Sequence, residues 1–248
     1  MALPQRAEIL AELRARMQRL ERGTGPRRAV LPFGAVALDR HLGGGLALGV
    51  LHEIAGEGAD SVHGAAATLF IGGVLARLKG PVLWCLGKRD LFAPGLRGIG
   101  LDPDRVIYVE AGDSATMLQV MEEGLRHGGL AGVVGELSRL PMVATRRLQL
   151  AAEAKGTTAF ALCRWRAATQ EEPSAAVSRW RVAALPSAAL PVPGIGRARW
   201  RLELRRCRGA EAGHWIVEAC DAQGRLALPA ELADGSAAAA DGRYRAAG

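Results

Sequence analysis

Apolar runs alternate with amphipathic stretches through the middle of the chain. Short continuous apolar runs predict five strands, at 50–54, 81–86, 106–109, 130–135 and 157–163. The last four of these are predicted to be buried on both faces of a sheet. Helical spacing of apolar residues predicts helices between them, at about 65–78, 114–126 and 141–154. Strands alternating with helices predict an α/β fold with a mainly parallel sheet and helices on its faces.

The N-terminal segment has its own helical pattern. Over residues 5–22, Leu13, Met17 and Leu20 recur at helical spacing, and the 23–26 segment, which contains two glycines and a proline, ends the pattern. The helix either lies on its own domain or forms an arm that packs on a neighbouring molecule, and the sequence does not decide between these. In the second case Leu13, Met17 and Leu20 are candidate partner-binding residues.

The chain changes character after residue 164. Residues 164–180 are polar and charged, which predicts a loop, whereas 200–205 alternates apolar and charged residues as a half-exposed strand does. The 214–219 segment pairs with that strand as a hairpin over the turn at 209–213. The Ala- and Gly-rich end predicts disorder. The predicted units are an N-terminal arm, a core, a small C-terminal β extension and a tail, at 1–29, 30–195, 196–229 and 230–248.

Composition narrows the class of protein. The chain has 248 residues, 49% of them hydrophobic, without an apolar run of about 18 residues. Its first residues do not resemble a secretory signal, and its four cysteines show no metal-ligand spacing, so we expect a cytoplasmic protein without a bound metal. The net charge of +7 is compatible with nucleic acid or an acidic partner.

Several motifs occur in the order found in a known family. A Leu-Asp pair at 38–39, the glycine-rich 43–46, the 49–56 segment, the Gly-Leu-Asp-Pro-Asp of 100–104 and the valines at 133–134 together resemble the RecA core. The stretches 174–182 and 197–204 further resemble the ImuA family, RecA-like accessory proteins of bacterial damage-induced mutagenesis. Together these motifs cover most of residues 35–205. The resemblance implies a RecA-like three-layer core with a mainly parallel sheet, an N-terminal helix and a small C-terminal β extension.

The resemblance also implies partners. The family works in error-prone synthesis past DNA lesions with an inactive Y-family polymerase-like protein. An error-prone replicative-type polymerase reaches the sliding clamp through that partner. RecA is a second partner by hypothesis, because shared architecture permits mixed packing, and single-stranded DNA is a third. A protein of this kind is expected in the bacterial cytoplasm, associated with the nucleoid when DNA is damaged, without a membrane partner.

The segment in the position of the phosphate loop departs from the pattern that binds ATP. A working loop reads GxxxxGK[ST]: its backbone N–H groups surround the phosphates, its lysine neutralises them and its hydroxyl holds magnesium. Here Gly56 is followed by Asp60, Ser61 and His63, and no lysine stands in the loop. Asp60 adds negative charge where phosphates would bind, and His63 is a poor substitute for lysine.

At two more positions the residue that ATP hydrolysis requires is also missing. Lys88 stands where RecA-type enzymes carry the glutamate that activates water, and a protonated lysine cannot accept that proton. Gly135 stands where an aspartate related to magnesium is expected, with Glu136 one position later. Asp90 is a weak candidate to replace the missing carboxylate. We therefore predict a degenerate nucleotide site, with no catalytic residue and no cofactor.

Arginine clusters supply the remaining candidates. Arginine contacts phosphates and tryptophan stacks on bases, so the following are candidate DNA-binding residues: Arg164, Trp165, Arg166, Arg179 and Arg181. The competing interpretation is a core tryptophan with solvated arginine flanks. Arg199, Arg201 and Arg205 share one face of a predicted strand and are candidate contacts for an acidic partner.

These observations favour a non-catalytic accessory protein of the DNA-damage (SOS) response. Two rival functions remain open. One is an ATP-dependent, RecA-like DNA-binding ATPase, which would need the missing lysine. The other is a cell-division inhibitor of the SulA type, which shares a reduced RecA-like core.

Overall fold

The computed structural model describes Glu12, Gly194 and the ranges 28–164, 172–187 and 196–229. The predicted N-terminal helix, apart from Glu12, and the predicted disordered tail lie outside the described residues. So do the candidate residues Leu13, Met17, Leu20, Trp165 and Arg166.

A single eight-stranded sheet forms the middle layer. In chain order its strands are β3 (Leu51–Gly56), β4 (Val82–Leu86), β5 (Val106–Glu110), β6 (Gly132–Leu137), β7 (Thr158–Cys163), β8 (Ser178–Leu185), β9 (Arg199–Cys207) and β10 (Gly213–Glu218). Their order across the sheet is β10-β9-β8-β3-β7-β6-β4-β5. The strands from β8 to β5 in that order run parallel, whereas β9 runs antiparallel to both of its neighbours, β8 and β10. A two-stranded antiparallel pair, β1 (Val30–Leu31) and β2 (Leu46–Ala47), precedes it.

Helices cover both faces of this sheet. Their bounds are α1 (Val36–His41), α2 (Asp60–Ala76), α3 (Ala93–Arg97), α4 (Ser114–His127) and α5 (Met142–Lys155), with a 3₁₀ turn at Pro103–Arg105. One apolar core lies between α2 and one face of the sheet, and a second lies between α4, α5 and the other face. The RecA-like, three-layer α/β class predicted from the sequence is therefore confirmed. None of the helices that the structure describes is long and apolar enough to span a membrane.

Local sequence explains where the helices begin and end. Asp113 caps α4, its Oδ1 accepting the backbone N–H groups of Ala115 and Thr116 at 2.8 and 3.0 Å. Gly128 and Gly156 follow α4 and α5 with φ of +74° and +70°, a conformation that favours glycine. Because the strands from β8 to β5 are parallel, their carboxyl ends lie at the same side of the sheet, where ligands bind in open α/β folds.

The sequence prediction was wrong for two strands. The 106–109 run, predicted to be buried on both faces, is the edge strand β5, on which Ile107 and Tyr108 are 51% and 37% exposed. The loop predicted over 164–180 ends earlier, because β8 begins at Ser178 and lies parallel to β3. The sequence pattern did not predict this strand, because the buried residues Trp180 and Val182 alternate with arginines and the segment therefore has the composition of a charged loop. The predicted hairpin of the 200–205 and 214–219 segments is confirmed as β9 and β10, and it continues the core sheet.

Candidate functional site

A cleft of about 1120 Å³ opens at the carboxyl ends of the parallel strands. Its walls come from the start of α2, the loop after β4, α3, the start of α4 and the ends of β6 and β7. This is the place where a RecA-type core would hold its nucleotide. Among the six residues that the sequence assigns to the degenerate nucleotide site, Asp60, Ser61 and Lys88 line the cleft.

The side chain of Arg164 lines this cleft. Arg164 directly follows β7, and its backbone N–H donates to the Leu137 carbonyl at 2.9 Å, which holds it beside the end of β6. Its side chain donates to the carboxylates of Asp60, Asp90 and Glu136, which come from three different elements. Nε and Nη2 lie 3.0 and 2.9 Å from Asp60 Oδ2. Nη1 and Nη2 lie 2.6 and 2.7 Å from the two Asp90 oxygens, and Nη1 lies 2.8 Å from Glu136 Oε2.

The network is shielded from water except at Asp90. The Glu136 side chain is 1% exposed and Arg164 is 19% exposed, whereas Asp90 is 47% exposed. Glu136 also accepts from Trp84 Nε1 at 3.2 Å and from the Gly87 backbone N–H at 3.3 Å. A buried carboxylate that accepts several N–H groups and faces a guanidinium is compensated both in charge and in hydrogen bonds.

This arrangement shifts the pKa values of Arg164 and Asp90. The hydrogen bond to Asp90, followed by those to Asp60 and Glu136, raises the pKa of Arg164 further above its ordinary value despite burial. The hydrogen bond from Arg164, helped by the charges of Arg164 and Lys88, holds the pKa of Asp90 below its ordinary value. The guanidinium and the Asp90 carboxylate are therefore both charged at neutral pH.

This arrangement is poorly suited to a nucleotide. Helix N-termini bind phosphates through their free N–H groups and their dipole, but the first residue of α2 is Asp60, whose own carboxylate puts an anion there. Three carboxylates against one guanidinium leave the network with a formal charge of −2. A triphosphate would meet this negative charge, and Arg164 already supplies the cation that magnesium would provide. Among the described residues no group of three or more His, Cys, Asp or Glu side chains could hold a metal ion.

The strand β6 corrects one part of the sequence prediction. Gly135 does not line the cleft: a Cβ built on it would lie 2.1 Å from Met121 Sδ, so this position faces α4. The next residue, Glu136, points into the cleft, because successive side chains of a strand alternate between its faces. The carboxylate expected to be lost at this strand end is therefore present one position later, where it binds Arg164.

Gly56 and His63 also lie away from the cleft lining. Gly56 is the last residue of β3, and a Cβ built there would lie 3.0 Å from the His63 backbone carbon, so glycine allows α2 to pack closely. His63 Nδ1 accepts the Ala184 backbone N–H at 3.1 Å and thereby joins α2 to β8. Both residues position elements of the fold.

The remaining candidate arginines share one face of β8 and β9. The register pairs Arg181 with Glu203, Ala183 with Arg201 and Leu185 with Arg199, and directly paired residues lie on the same face. We call this surface the arginine face, formed by Arg179, Arg181, Arg199, Arg201 and Arg205. From the sequence alone, the arginines of β8 are candidate DNA contacts and those of β9 are candidate partner contacts. The strand register places both sets on one surface.

Several arginines of the arginine face form ion pairs with acidic residues. Arg179 Nε lies 2.7 Å from Glu53 Oε2, and this pair is mostly buried. Arg201 pairs with Glu57, which raises the pKa of Arg201 further, and Arg205 lies 2.8 Å from Glu203. Trp180 and Trp200 point to the opposite side, where they are buried in the core with α2. The face therefore presents guanidinium groups without these two aromatic rings.

Comparison with known proteins finds similarity along nearly the whole chain. Two curated relatives, each called Protein ImuA, come from Caulobacter vibrioides strains NA1000 / CB15N and ATCC 19089 / CIP 103742 / CB 15. Each is 40% identical to the chain over 242 residues, covering 91% of this chain and 99% of the relative. No family model matches the chain.

Proposed function

The chain belongs to the ImuA family, which gives it a role in damage-induced mutagenesis, and we propose that it performs this role as a non-catalytic, nucleotide-independent accessory protein. The core serves as a rigid scaffold that presents binding surfaces. It needs no ATP to reach its working conformation. Like its expected partners, it acts in the bacterial cytoplasm and joins the nucleoid when DNA is damaged.

The contact of Arg164 with three carboxylates carries this proposal. In an ATP-dependent core of this kind, nucleotide and magnesium bring together the helix after the phosphate loop and the ends of neighbouring strands. Here Arg164 joins Asp60 of α2, Asp90 after β4 and Glu136 of β6 within one polypeptide. Because the internal cation makes these connections permanently, ATP binding and release have no conformational change to drive. The same contact argues against the rival ATPase function.

The partners that we propose are proteins. The inactive Y-family polymerase-like protein is the direct partner, the error-prone replicative-type polymerase is reached directly or through it, and RecA is a further candidate. The arginine face supports contact with an acidic surface, since Arg201 and Arg205 are exposed on it while their carboxylate partners are themselves at the surface. Surface ion pairs contribute only about 0–1 kcal/mol each, so a partner's carboxylates can displace them.

A complementation experiment tests this function. A strain that lacks its own family member receives the wild-type chain, the Arg201→Glu/Arg205→Glu double variant or the Arg97→Glu control, whose arginine is 71% exposed away from the arginine face. Damage-induced mutation frequency should be restored by the wild type and the control but not by the double variant. Equal restoration by all three chains would contradict the role of the arginine face.

Two further readouts separate the rival functions. Phosphate release from Mg-ATP, with single-stranded DNA present, should stay at background, whereas turnover would favour the ATPase. Overproduction in a strain without the polymerase partners should leave cell length unchanged, whereas filamentation would favour a SulA-type inhibitor. Salt-sensitive binding of labelled single-stranded DNA that is lost in the double variant would assign the arginine face to DNA instead of protein.

A further inference from the structure

We propose that the cleft beside Arg164 receives a short segment of a partner protein that carries a basic side chain next to an apolar one. The basic side chain would contact the cleft carboxylates, and the apolar one would pack against Phe92. This rests on the proposed function in one respect: the cleft must be free of nucleotide.

The size and apolar wall of the cleft fit such a segment. A volume of about 1120 Å³ slightly exceeds that of ordinary ligand pockets, which hold about 300–1,000 Å³, so several side chains can enter. The wall is built from apolar side chains of α2, the loop after β4, α3, α4 and β6: Leu69, Leu91, Leu96, Met117 and Leu137.

Phe92 marks where an apolar side chain would bind. It lies on the lining of the cleft, yet it is 73% exposed, the largest exposed fraction among the large hydrophobic residues that are exposed in the described part of the chain. Aromatic residues are enriched in protein–protein interfaces and among the residues that contribute most to binding. Its position beside an apolar wall distinguishes it from the single hydrophobic residues scattered over any surface.

Charge selects the kind of segment. Four carboxylates line the cleft, from Asp60, Asp90, Asp113 and Glu136, against the two cations Lys88 and Arg164. The lining therefore has a formal charge of −2, whereas the whole chain carries +7. Hydrogen bonds from Thr116 and Ala115 hold the pKa of Asp113 below its ordinary value, so it stays ionised at neutral pH. A negative cleft on a positive protein attracts cationic segments and disfavours nucleotides and DNA.

A peptide titration on the full chain tests the proposal. The probes are a fluorescein-labelled hexapeptide of alternating arginine and leucine and a matched hexapeptide of alternating glutamate and leucine. Fluorescence anisotropy at about 0.15 M salt should show saturable 1:1 binding of the first, and binding of the second weaker by about tenfold or more. Equal binding of the two peptides, or no binding of the arginine peptide, would overturn the proposal.

Variants locate the binding. Phe92→Ala should weaken binding of the arginine peptide about fivefold or more, as expected for an aromatic anchor. Asp113→Asn keeps the cap of α4 but removes a charge, so it should weaken binding and its salt dependence, whereas Lys88→Glu should tighten binding. Leu150→Ala, which changes a residue that is 65% exposed on α5, is the matched control and should have no effect. Loss of affinity in the control equal to that in Phe92→Ala would overturn the proposal.

The remaining outcomes identify other occupants. Displacement of the peptide by Mg-ATP would mean that the cleft takes nucleotide, which would overturn both this proposal and the proposed function. Self-association that disappears in Phe92→Ala would mean that a second copy covers the cleft. Failure of the peptide to bind, with ATP also failing to bind, would overturn the peptide proposal and leave the nucleotide-independent function standing.

Discussion

Replacing Arg164 by methionine removes the cation that joins three carboxylates and keeps most of the side-chain length. Asp60, Asp90 and Glu136 would then face one another without compensation, and Glu136 is only 1% exposed. Removing one partner of a buried ion pair costs about 3–5 kcal/mol of folding free energy. Because Arg164 is 19% exposed and Asp90 is 47% exposed, we expect the lower end, about 3 kcal/mol.

The loss should depend on pH in a defined direction. In the wild type, the hydrogen bond from Arg164 lowers the pKa of Asp90. The contribution of this pair to folding stability is therefore fully present at pH values above the ordinary pKa of an aspartate, and it is lost as pH falls through the lowered pKa. In Arg164→Met the clustered carboxylates instead take up protons more readily, which relieves their repulsion. The difference in stability between the two proteins should therefore shrink as pH falls from 7 towards 4.

Thermal and urea denaturation followed by circular dichroism measure this difference. For a chain of about 150–250 residues, 3 kcal/mol corresponds to a drop in Tm of about 6–12 °C. Arg97→Met is the matched control, because Arg97 lies 3.5 Å from Asp102 and is 71% exposed, and its Tm should hardly change. A loss in Arg164→Met below about 1 kcal/mol, or one that is the same at pH 7 and pH 4.5, would refute the reasoning.

Three other changes give separate tests. His52 is fully buried between Ser178 Oγ at 2.6 Å and a backbone carbonyl at 2.8 Å, and burial lowers its pKa from 6.5 to about 4. Its neutral form therefore contributes about 3 kcal/mol of stability above pH 6.5, which is lost as pH falls towards 4; His52→Gln should flatten that slope in urea titrations. Gly135→Ala should cost about 1–3 kcal/mol by overpacking against Met121, and less in a Met121→Ala background, as a double-mutant cycle in denaturant would show. Arg201→Glu should weaken pull-down of the polymerase-like partner and make the remaining binding less dependent on salt.

The layers of the fold could be predicted because their signals are local. Continuous apolar runs gave β4, β6 and β7, which are buried on both faces, and helical spacing gave α4 and α5. The strand β8 could not be predicted in the same way. Its alternation of Trp180 and Val182 with arginines is clear only once β3 and β9 are known to flank it.

The candidate site divides along similar lines. The loss of the phosphate-loop lysine was visible in the sequence, and Asp60, Ser61 and Lys88 do line the cleft. The role of Arg164 was not visible, because its three carboxylate partners lie 28, 74 and 104 positions away in the chain. One signal did exist: Arg164, Glu136 and Asp90 each stand at or just after the end of a buried parallel strand, where such ends meet in space.

Titration of the chain with Mg-ATP, by calorimetry and by thermal denaturation, tests nucleotide independence most directly. We predict no saturable heat and no change in Tm at millimolar ATP. Arg164 already pairs with the three carboxylates at this site, and the net negative charge of the cleft repels phosphates. Binding with a Kd 100-fold below the ATP concentration would stabilise the protein by about 2.7 kcal/mol and raise the Tm by about 5–11 °C. A shift of that size, with a matching calorimetric isotherm, would contradict the claim that this core works without nucleotide.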